Sequence, residues 1–419
     1  MRESRRGMHF GIAKLENSIR HYDWGSREFI SRLQARTAPS ERPEAELWIG
    51  DHPRAPSRIL GAIEEPLPDY IRRAPKVVLG DRSVQRFGPT LPFLVKILAA
   101  CRPLSIQVHP DAKQALRGFE AEQRRGMAPD DPERSYTDPR RKVELLIALE
   151  PISALCGFRP AESAIALLKR VQSTAVEAML NEVRREESDV AAHLFFAARK
   201  LSGPGRSHLL EDLLAFARRE EDNLIEAHWV NRLTELYPGD PGALAPLLLN
   251  LIVLTPGEGL FIQPGTLHSY LEGSGVEVMS SSDNVVRAGL TQKFVDEREL
   301  RDLATREPAP PQMIRPTVES PGIVHYLLPE EAVDEFAVRV LSPHDVGGMI
   351  SRPPAHLARI LLCIEGSVNL STPRDASGPG RVDLQPGEAA WVPASVGTHA
   401  VSITNGNKTA TLYEITSCR

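Results

Sequence analysis

Residues 254–268 read LTPGEGLFIQPGTLH and residues 384–399 read LQPGEAAWVPASVGTH, so one pattern occurs twice in the chain. Both copies run Leu-x-Pro-Gly-Glu, then an aromatic–aliphatic pair, then Gly-Thr and a histidine. The offset is 130 residues at the prolines and 131 at the histidines. Pro-Gly-Glu makes a tight turn, the apolar pair enters a buried strand, and the histidine emerges on the face of the next strand. A unit that recurs in this way means that the chain builds one kind of β-structure twice. With 419 residues there is room for two or three domains.

The repeat resembles the second half of the cupin motif, a double-sheet jelly roll. Around it the texture changes along the chain. Residues 1–160 hold short apolar runs such as LPFLVKIL and PLSIQVHP, separated by Pro, Gly and Asp, which read as strands and turns. Residues 161–250 carry AESAIALLKRVQ, SDVAAHLFFAARKL and HLLEDLLAFARRE, with apolar residues at i, i+3, i+4 and i+7. These read as helices that start near a Ser or Asp cap, with Gly-Pro-Gly at 203–205 separating two of them. Strand texture returns from 251, and REPAPPQMIRP at 306–316 reads as a linker. The expected fold is mainly β with an inserted α-helical domain and two cupin-type jelly-roll β-barrels. Residues 1–160 with 251–305 form the first barrel, 161–250 the helical insertion, 306–319 the linker and 320–419 the second barrel. The second copy has His399 but only an isolated His356 before it, so it reads as a metal-free structural barrel.

Net charge is −5 with a pI of about 6.2, and no basic stripe appears, which argues against nucleic-acid binding. An anionic substrate would need local Arg and Lys. MRESRRGMHFGIAK lacks the apolar core of a signal peptide, and Met8 offers an alternative start. The longest apolar run, from Leu244 to Leu254, is too short to span a bilayer. Cysteines 101, 156, 363 and 418 show no CxxC spacing and read as buried structural thiols in a reducing compartment. The expected location is cytoplasmic, and the expected assembly is a monomer or weak homo-oligomer.

Gln107 and His109 are two apart, so on a strand they share a face. Glu144 lies in the apolar run RKVELLIAL, and His268 follows a Pro-Gly turn. One amide oxygen, two imidazoles and one carboxylate suit a divalent transition metal, zinc first. Lys142, two before Glu144, should share its strand face, and Ser105, two before Gln107, should share that of the ligands.

YDWGS at 22–26, AELWIGDHPRAPS at 45–57, LPFLVKILAACRPLSIQVHP at 91–110, YTDPRRKVE at 136–144 and QPGTLHSYLEGSGVEVMSSSDNVVRAGLTQK at 263–293 occur in one order. Together they resemble the type I phosphomannose isomerases, the zinc-dependent mannose-6-phosphate isomerases. The resemblance covers about residues 10–305, more loosely the rest. It implies one zinc per chain on Gln107, His109, Glu144 and His268, and a role in mannose activation towards GDP-mannose or in mannose catabolism. The family's usual His-Lys-Pro-Glu is Arg141-Lys142-Val143-Glu144 here.

An aldose–ketose isomerase moves a proton between C2 and C1 and must steady an enediolate with fixed positive charge. Arg287 is the catalytic arginine by resemblance; the bland alternative is a surface pair with Asp283. Lys142, Asp283 and Glu277 are the candidate bases, and Lys142 could equally be a fixed charge on a sugar hydroxyl. His52 is either a helper in ring opening or a structural turn histidine. Ser105, Lys96 and Lys293 are the candidates for phosphate. The implied partner is a small phosphorylated sugar, with no nucleic acid and no membrane. Competing readings are a zinc isomerase of relaxed sugar specificity, a cupin dioxygenase, which glutamine ligation suits poorly, and a non-enzymatic sugar-binding cupin.

Overall fold

A computed structural model describes residues 10–61, 64–182, 188–329, 333–354, 356–372, 381–404 and 406–417. Met1, Met8 and Cys418 lie outside the described residues. The protein is mainly β-sheet, with helices concentrated between residues 161 and 248. It divides into two compact units. One takes the chain up to Ala99, Gly275–Ser281 and everything from Ile314 on; the other takes Ala100–Ser274 and Ser282–Met313. This grouping by contact differs from the segments read along the chain. Alternating apolar residues identify a strand but not the sheet it joins.

In the first unit, strand Ala13–Glu16 lies between Ala389–Val392 and Arg58–Leu60, with Lys14 opposite both Ala390 and Leu60. It thereby completes a nine-stranded sheet whose other half comes from residues 317–416. A four-stranded sheet, Met349–Arg352, His399–Ile403, Val368–Ser371 and Arg381–Leu384, accompanies it. Leu361, Cys363, Ala390 and Leu412 of the large sheet share one core with Ile350, Val368, Leu370 and Val401 of the small one. Each strand therefore spends alternate side chains on that core.

In the second unit the strands Ile152–Phe158 and Leu249–Leu254 pair antiparallel, Phe158 opposite Leu249 and Ile152 opposite Leu254. The described helices between Ala161 and Leu248 all lie, along the chain, between these two strands. Their apolar faces, including Leu168, Phe195, Leu213, Phe216 and Trp229, pack into one core with Ile106, Val108 and Val286 of the sheet. Asp189 and Ser202 do precede helices Val190–Lys200 and Gly203–Glu220, but neither side chain makes a cap hydrogen bond. Gly203-Pro204-Gly205 forms the first turn of the second helix, where proline's missing N–H costs nothing.

The Leu244–Leu254 run splits into helix Ala245–Leu248 and strand Leu249–Leu254. Among the described residues no helix is long and apolar enough to cross a membrane. The stretch read as a linker contains the strand Gln312–Ile314. Cys156 and Cys363 are buried free thiols, each pushed up to about 12 by burial. Cys101 is the exception to the expectation of burial: it follows the buried strand Phe93–Ala100 into an exposed turn.

The Pro-Gly-Glu turn of the repeat recurs with the same backbone hydrogen bonds. Gly257 and Gly387 take φ of 87° and 79°, the left-handed position that Pro-Gly turns need. Glu258 accepts from the backbone N–H of Thr255 at 3.0 Å, and Glu388 from that of Gln385 at 2.9 Å. The turn glycines donate to Ala148 and Cys363 carbonyls at 2.9 and 2.8 Å.

Candidate metal centre and active site

Strand Ile106–Val108 runs between His268–Ser280 and Val286–Gly289. Gln107 is opposite His268 on one side and Arg287 on the other, so the three form one cross-strand row. Glu144 heads the strand Glu144–Ala148, opposite Ile262. The turn before His268 is tied to the site, because the Gly265 N–H donates to the His109 carbonyl at 2.9 Å. Gly265 has φ of 82°, and a Cβ there would lie 2.5 Å from Thr305 Oγ1, so only glycine fits.

His109 and His268 are fully buried and Glu144 nearly so. Their ligand atoms all lie within 4.8 Å of one another, the one such group of three among the described residues. Glu144 Oε1 is 3.3 Å from His109 Nε2, and Oε2 is 3.3 Å from His268 Nε2. The other ring nitrogens face carbonyls: His109 Nδ1 meets Asn284 O and His268 Nδ1 meets Thr266 O, both at 2.9 Å. A carbonyl only accepts, so each Nδ1 carries a proton, and in the neutral ring Nε2 then presents a lone pair. Both Nε2 atoms are buried without a hydrogen-bond partner among the described residues. Two lone pairs aimed at a buried carboxylate repel one another unless a cation lies among them. The donor set, two imidazoles and a carboxylate beside the Gln107 row, fits zinc.

The electrostatics agree with this. Burial, then Lys142, lowers the His109 pKa to about 4, so the ring is neutral. Burial alone would raise Glu144. The Lys142 ammonium beside it outweighs burial and holds the carboxyl well below its ordinary range. Lys142 Nζ lies 3.0 Å from Glu144 Oε1, although Lys142 precedes the strand rather than belonging to it. The Tyr270 hydroxyl reaches Glu144 Oε2 at 3.4 Å.

Arg287 is half-buried and makes no ion pair among the described residues; burial lowers its pKa without discharging it. It is therefore not the surface partner of Asp283. Asp283 is partly buried, with its N–H donating to Asp138 Oδ2 at 3.3 Å. Ser105 is partly buried just before the ligand strand, and Lys293 is exposed. Lys96 and Glu277 belong to the other compact unit and form a cluster of their own. Lys96 Nζ is 2.9 Å from Glu277 Oε2 and 3.3 Å from Glu46 Oε1, and all three residues are buried. Trp48 Nε1 donates to Glu46 at 2.8 Å, and Lys96 Nζ lies 5.3 Å from the Trp48 ring. His52 is buried in a turn, 5.0 Å from the same ring, and accepts weakly from the Arg54 N–H at 3.4 Å.

Sequence reasoning missed two contributors. Glu46 is a charged residue inside the apolar strand Glu46–Ile49, the same signal that singled out Lys96. Asn284 gave no signal in spacing. Fully buried, it accepts from the N–H groups of Thr137 and Asp138 at 2.8 and 3.2 Å and donates to the carbonyls of Asp138 and Arg140, both at 2.8 Å. It thus ties the segment leading to Lys142 against the segment leading to Arg287.

Comparison with known proteins agrees with the geometry. The family described as phosphomannose isomerase type I, catalytic domain, matches residues 12–161. The mannose-6-phosphate isomerase of Salmonella typhimurium is 37% identical over 386 residues, 91% of this chain and 95% of that protein. The Escherichia coli enzyme of the same name is 36% identical over 389 residues, 92% and 95% of the two chains. A crystal structure of the Salmonella typhimurium enzyme bound to its substrate, fructose 6-phosphate, and zinc has a TM-score of 0.87 at 34% identity. It covers 98% of this chain and 100% of that one.

Proposed function

This chain belongs to the type I phosphomannose isomerases, and from that premise we propose that it interconverts mannose 6-phosphate and fructose 6-phosphate with one zinc ion per chain. The observation that carries the reading is the pair of buried, unpartnered Nε2 atoms facing the Glu144 carboxylate. His109, Glu144 and His268 would hold the ion, with Gln107 as the fourth ligand. Bound there, it supplies fixed positive charge to oxygens of the sugar.

The chain's own residues do the rest. The carbonyls of Asn284 and Thr266 keep both histidines in the tautomer that presents Nε2. Arg287, with no carboxylate partner among the described residues, lends its guanidinium to the charge that develops on O1 and O2 as the proton moves. Lys142, Asp283 and Glu277 remain the candidate bases. Lys142 donates to Glu144, which favours a role as a fixed charge on a hydroxyl. Glu277 is already a carboxylate, held by Lys96. Ser105 and Lys293 are assigned to the phosphate, with Lys96 a weaker candidate because two carboxylates already share its charge.

In fold terms we read two cupin jelly rolls, 1–160 with 251–305 and 320–419, joined by 306–319, with 161–250 inserted into the first and strand Ala13–Glu16 lent to the sheet of the second. The cell compartment consistent with this chemistry is the cytoplasm, and the assembly a monomer or weak homo-oligomer. The test is elemental analysis combined with a coupled assay on mannose 6-phosphate, other phosphorylated aldoses and free sugars. One zinc and turnover restricted to mannose 6-phosphate support the reading. Comparable turnover of several sugars replaces it with a relaxed isomerase, and no turnover at full zinc loading leaves a sugar-binding protein.

A further inference from the structure

We propose that the C-terminal copy of the repeat carries a charge-inverted counterpart of the metal centre, in which the Arg359 guanidinium supplies the positive charge that the first copy leaves to a bound cation. Strand register carries the comparison. His268 is opposite Gln107, and its repeat mate His399 is opposite Arg352. Ile262 is opposite Glu144, and its mate Val392 is opposite Arg359. The places of Gln107, Glu144 and His268 are thus taken by Arg352, Arg359 and His399.

The two histidines are held alike. His268 Nδ1 faces the carbonyl of Thr266 at 2.9 Å, and His399 Nδ1 faces that of Gly397 at 3.4 Å, each two residues back. They differ in what lies opposite Nε2. For His268 it is a carboxylate oxygen at 3.3 Å; for His399 it is Arg359 Nη1, 3.3 Å from Nε2 and 3.5 Å from Nδ1. A lone pair facing an acceptor needs a cation between them, whereas one facing an N–H is satisfied.

The rest of the cluster balances the guanidiniums. Glu414 takes Arg352 bidentately, at 3.0 Å from Nε and 2.6 Å from Nη2, and lies 3.7 Å from Arg359 Nε. Arg359 Nη2 donates to the Pro353 carbonyl at 2.6 Å. Arg359 is 3% exposed, and His399 and Glu414 1% each. Two guanidiniums against one carboxylate leave one net positive charge, the same sum as a dication against one carboxylate. The C-terminal copy therefore folds without an ion and repels one, since a divalent cation would meet two buried like charges.

The test grafts the first copy's residues onto the second in the full chain. Arg352→Gln with Arg359→Glu puts an amide and a carboxylate beside His399, and Glu414, released from both arginines, stands as the fourth donor in place of His109. After equilibration with zinc, elemental analysis should find one more zinc per chain than in the wild type. A folded double variant with wild-type zinc content overturns the equivalence. If the double variant does not fold, Arg359→Met and Arg359→Lys decide. With zinc content and kcat unchanged, amide exchange in Met349–Arg352, Arg359–Glu365 and His399–Ile403 should quicken in Arg359→Met. Arg359→Lys, which keeps the charge, should recover part of the protection. Unchanged exchange in Arg359→Met means that the guanidinium balances nothing there, and the proposal falls.

Discussion

The two copies of Leu-x-Pro-Gly-Glu share their turns, their strand pairing and even the carbonyl that holds each histidine, yet one is built to take a cation and the other contains its own. The difference rests on residues opposite the repeat, not within it. Glu144 stands across from Ile262, and Arg359 across from Val392. A β-unit can thus keep its backbone while the partner strand decides its chemistry, because backbone pairing is indifferent to the side chains that it brings together.

The sharpest way to break this comparison is to remove matched histidines. His268→Ala takes away one of few ligands and should lose zinc and turnover together, since affinity depends on ligand number and geometry. A purified variant that retains stoichiometric zinc by elemental analysis removes His268 from the ligand set. His399→Ala should keep both zinc content and turnover near wild type. A large loss of activity at unchanged stability would mean that the second copy takes part in the reaction.

The arginines sharpen the contrast further. Arg287 has no carboxylate partner among the described residues, whereas Arg352 and Arg359 share Glu414. Arg287→Ala should lower kcat more than it raises KM, by about 10²–10³, the scale for one lost oxyanion donor. Steady-state kinetics that show only a raised KM would make Arg287 a substrate clamp. Lys142→Met then separates the candidate bases. If Lys142 moves the proton, the variant should bind sugar phosphate but stop exchanging the C2 proton with solvent. Exchange near the wild-type rate, followed by NMR in deuterated buffer, passes the role to Asp283 or Glu277.

The smallest effect is in pH dependence. Burial, then the neighbouring Arg359, lowers the His399 pKa to about 4, with Glu414 opposing and Arg352 reinforcing the shift. An unfolded histidine titrates near 6.5, so between those values the unfolded chain binds the extra proton. The neutral ring's contribution is therefore present above about pH 6.5 and lost as pH falls towards 4. His399→Gln should flatten that part of the stability–pH curve in denaturant titrations. An identical slope in wild type and variant would show that His399 is not held neutral by its surroundings.

The donors of the metal centre are legible in the sequence. His109, Glu144 and His268 stand out by residue type, by the two-residue spacing of Gln107 and His109, and by the Pro-Gly turn before His268. The helical texture of 161–250 was plain because a 3.6-residue period needs no partner to be seen. What stayed hidden was pairing at long range. Nothing near Ala13 indicates that its strand joins Ala389–Val392, and nothing near Asn284 indicates that its amide gathers residues 137–140.

The sequence by itself determined the repeat, its turns, the elements and the kinds of donor available, because these depend on local sterics and on the period of apolar residues. Only the tertiary structure decided which donors meet: that Arg287 has no ion-pair partner among the described residues, that Lys96 is spent on Glu46 and Glu277, and that two arginines surround His399. Charge and hydrogen bonding act through space over a few ångströms, so their outcome depends on which strands lie side by side, and that is settled only when the apolar faces find a common core.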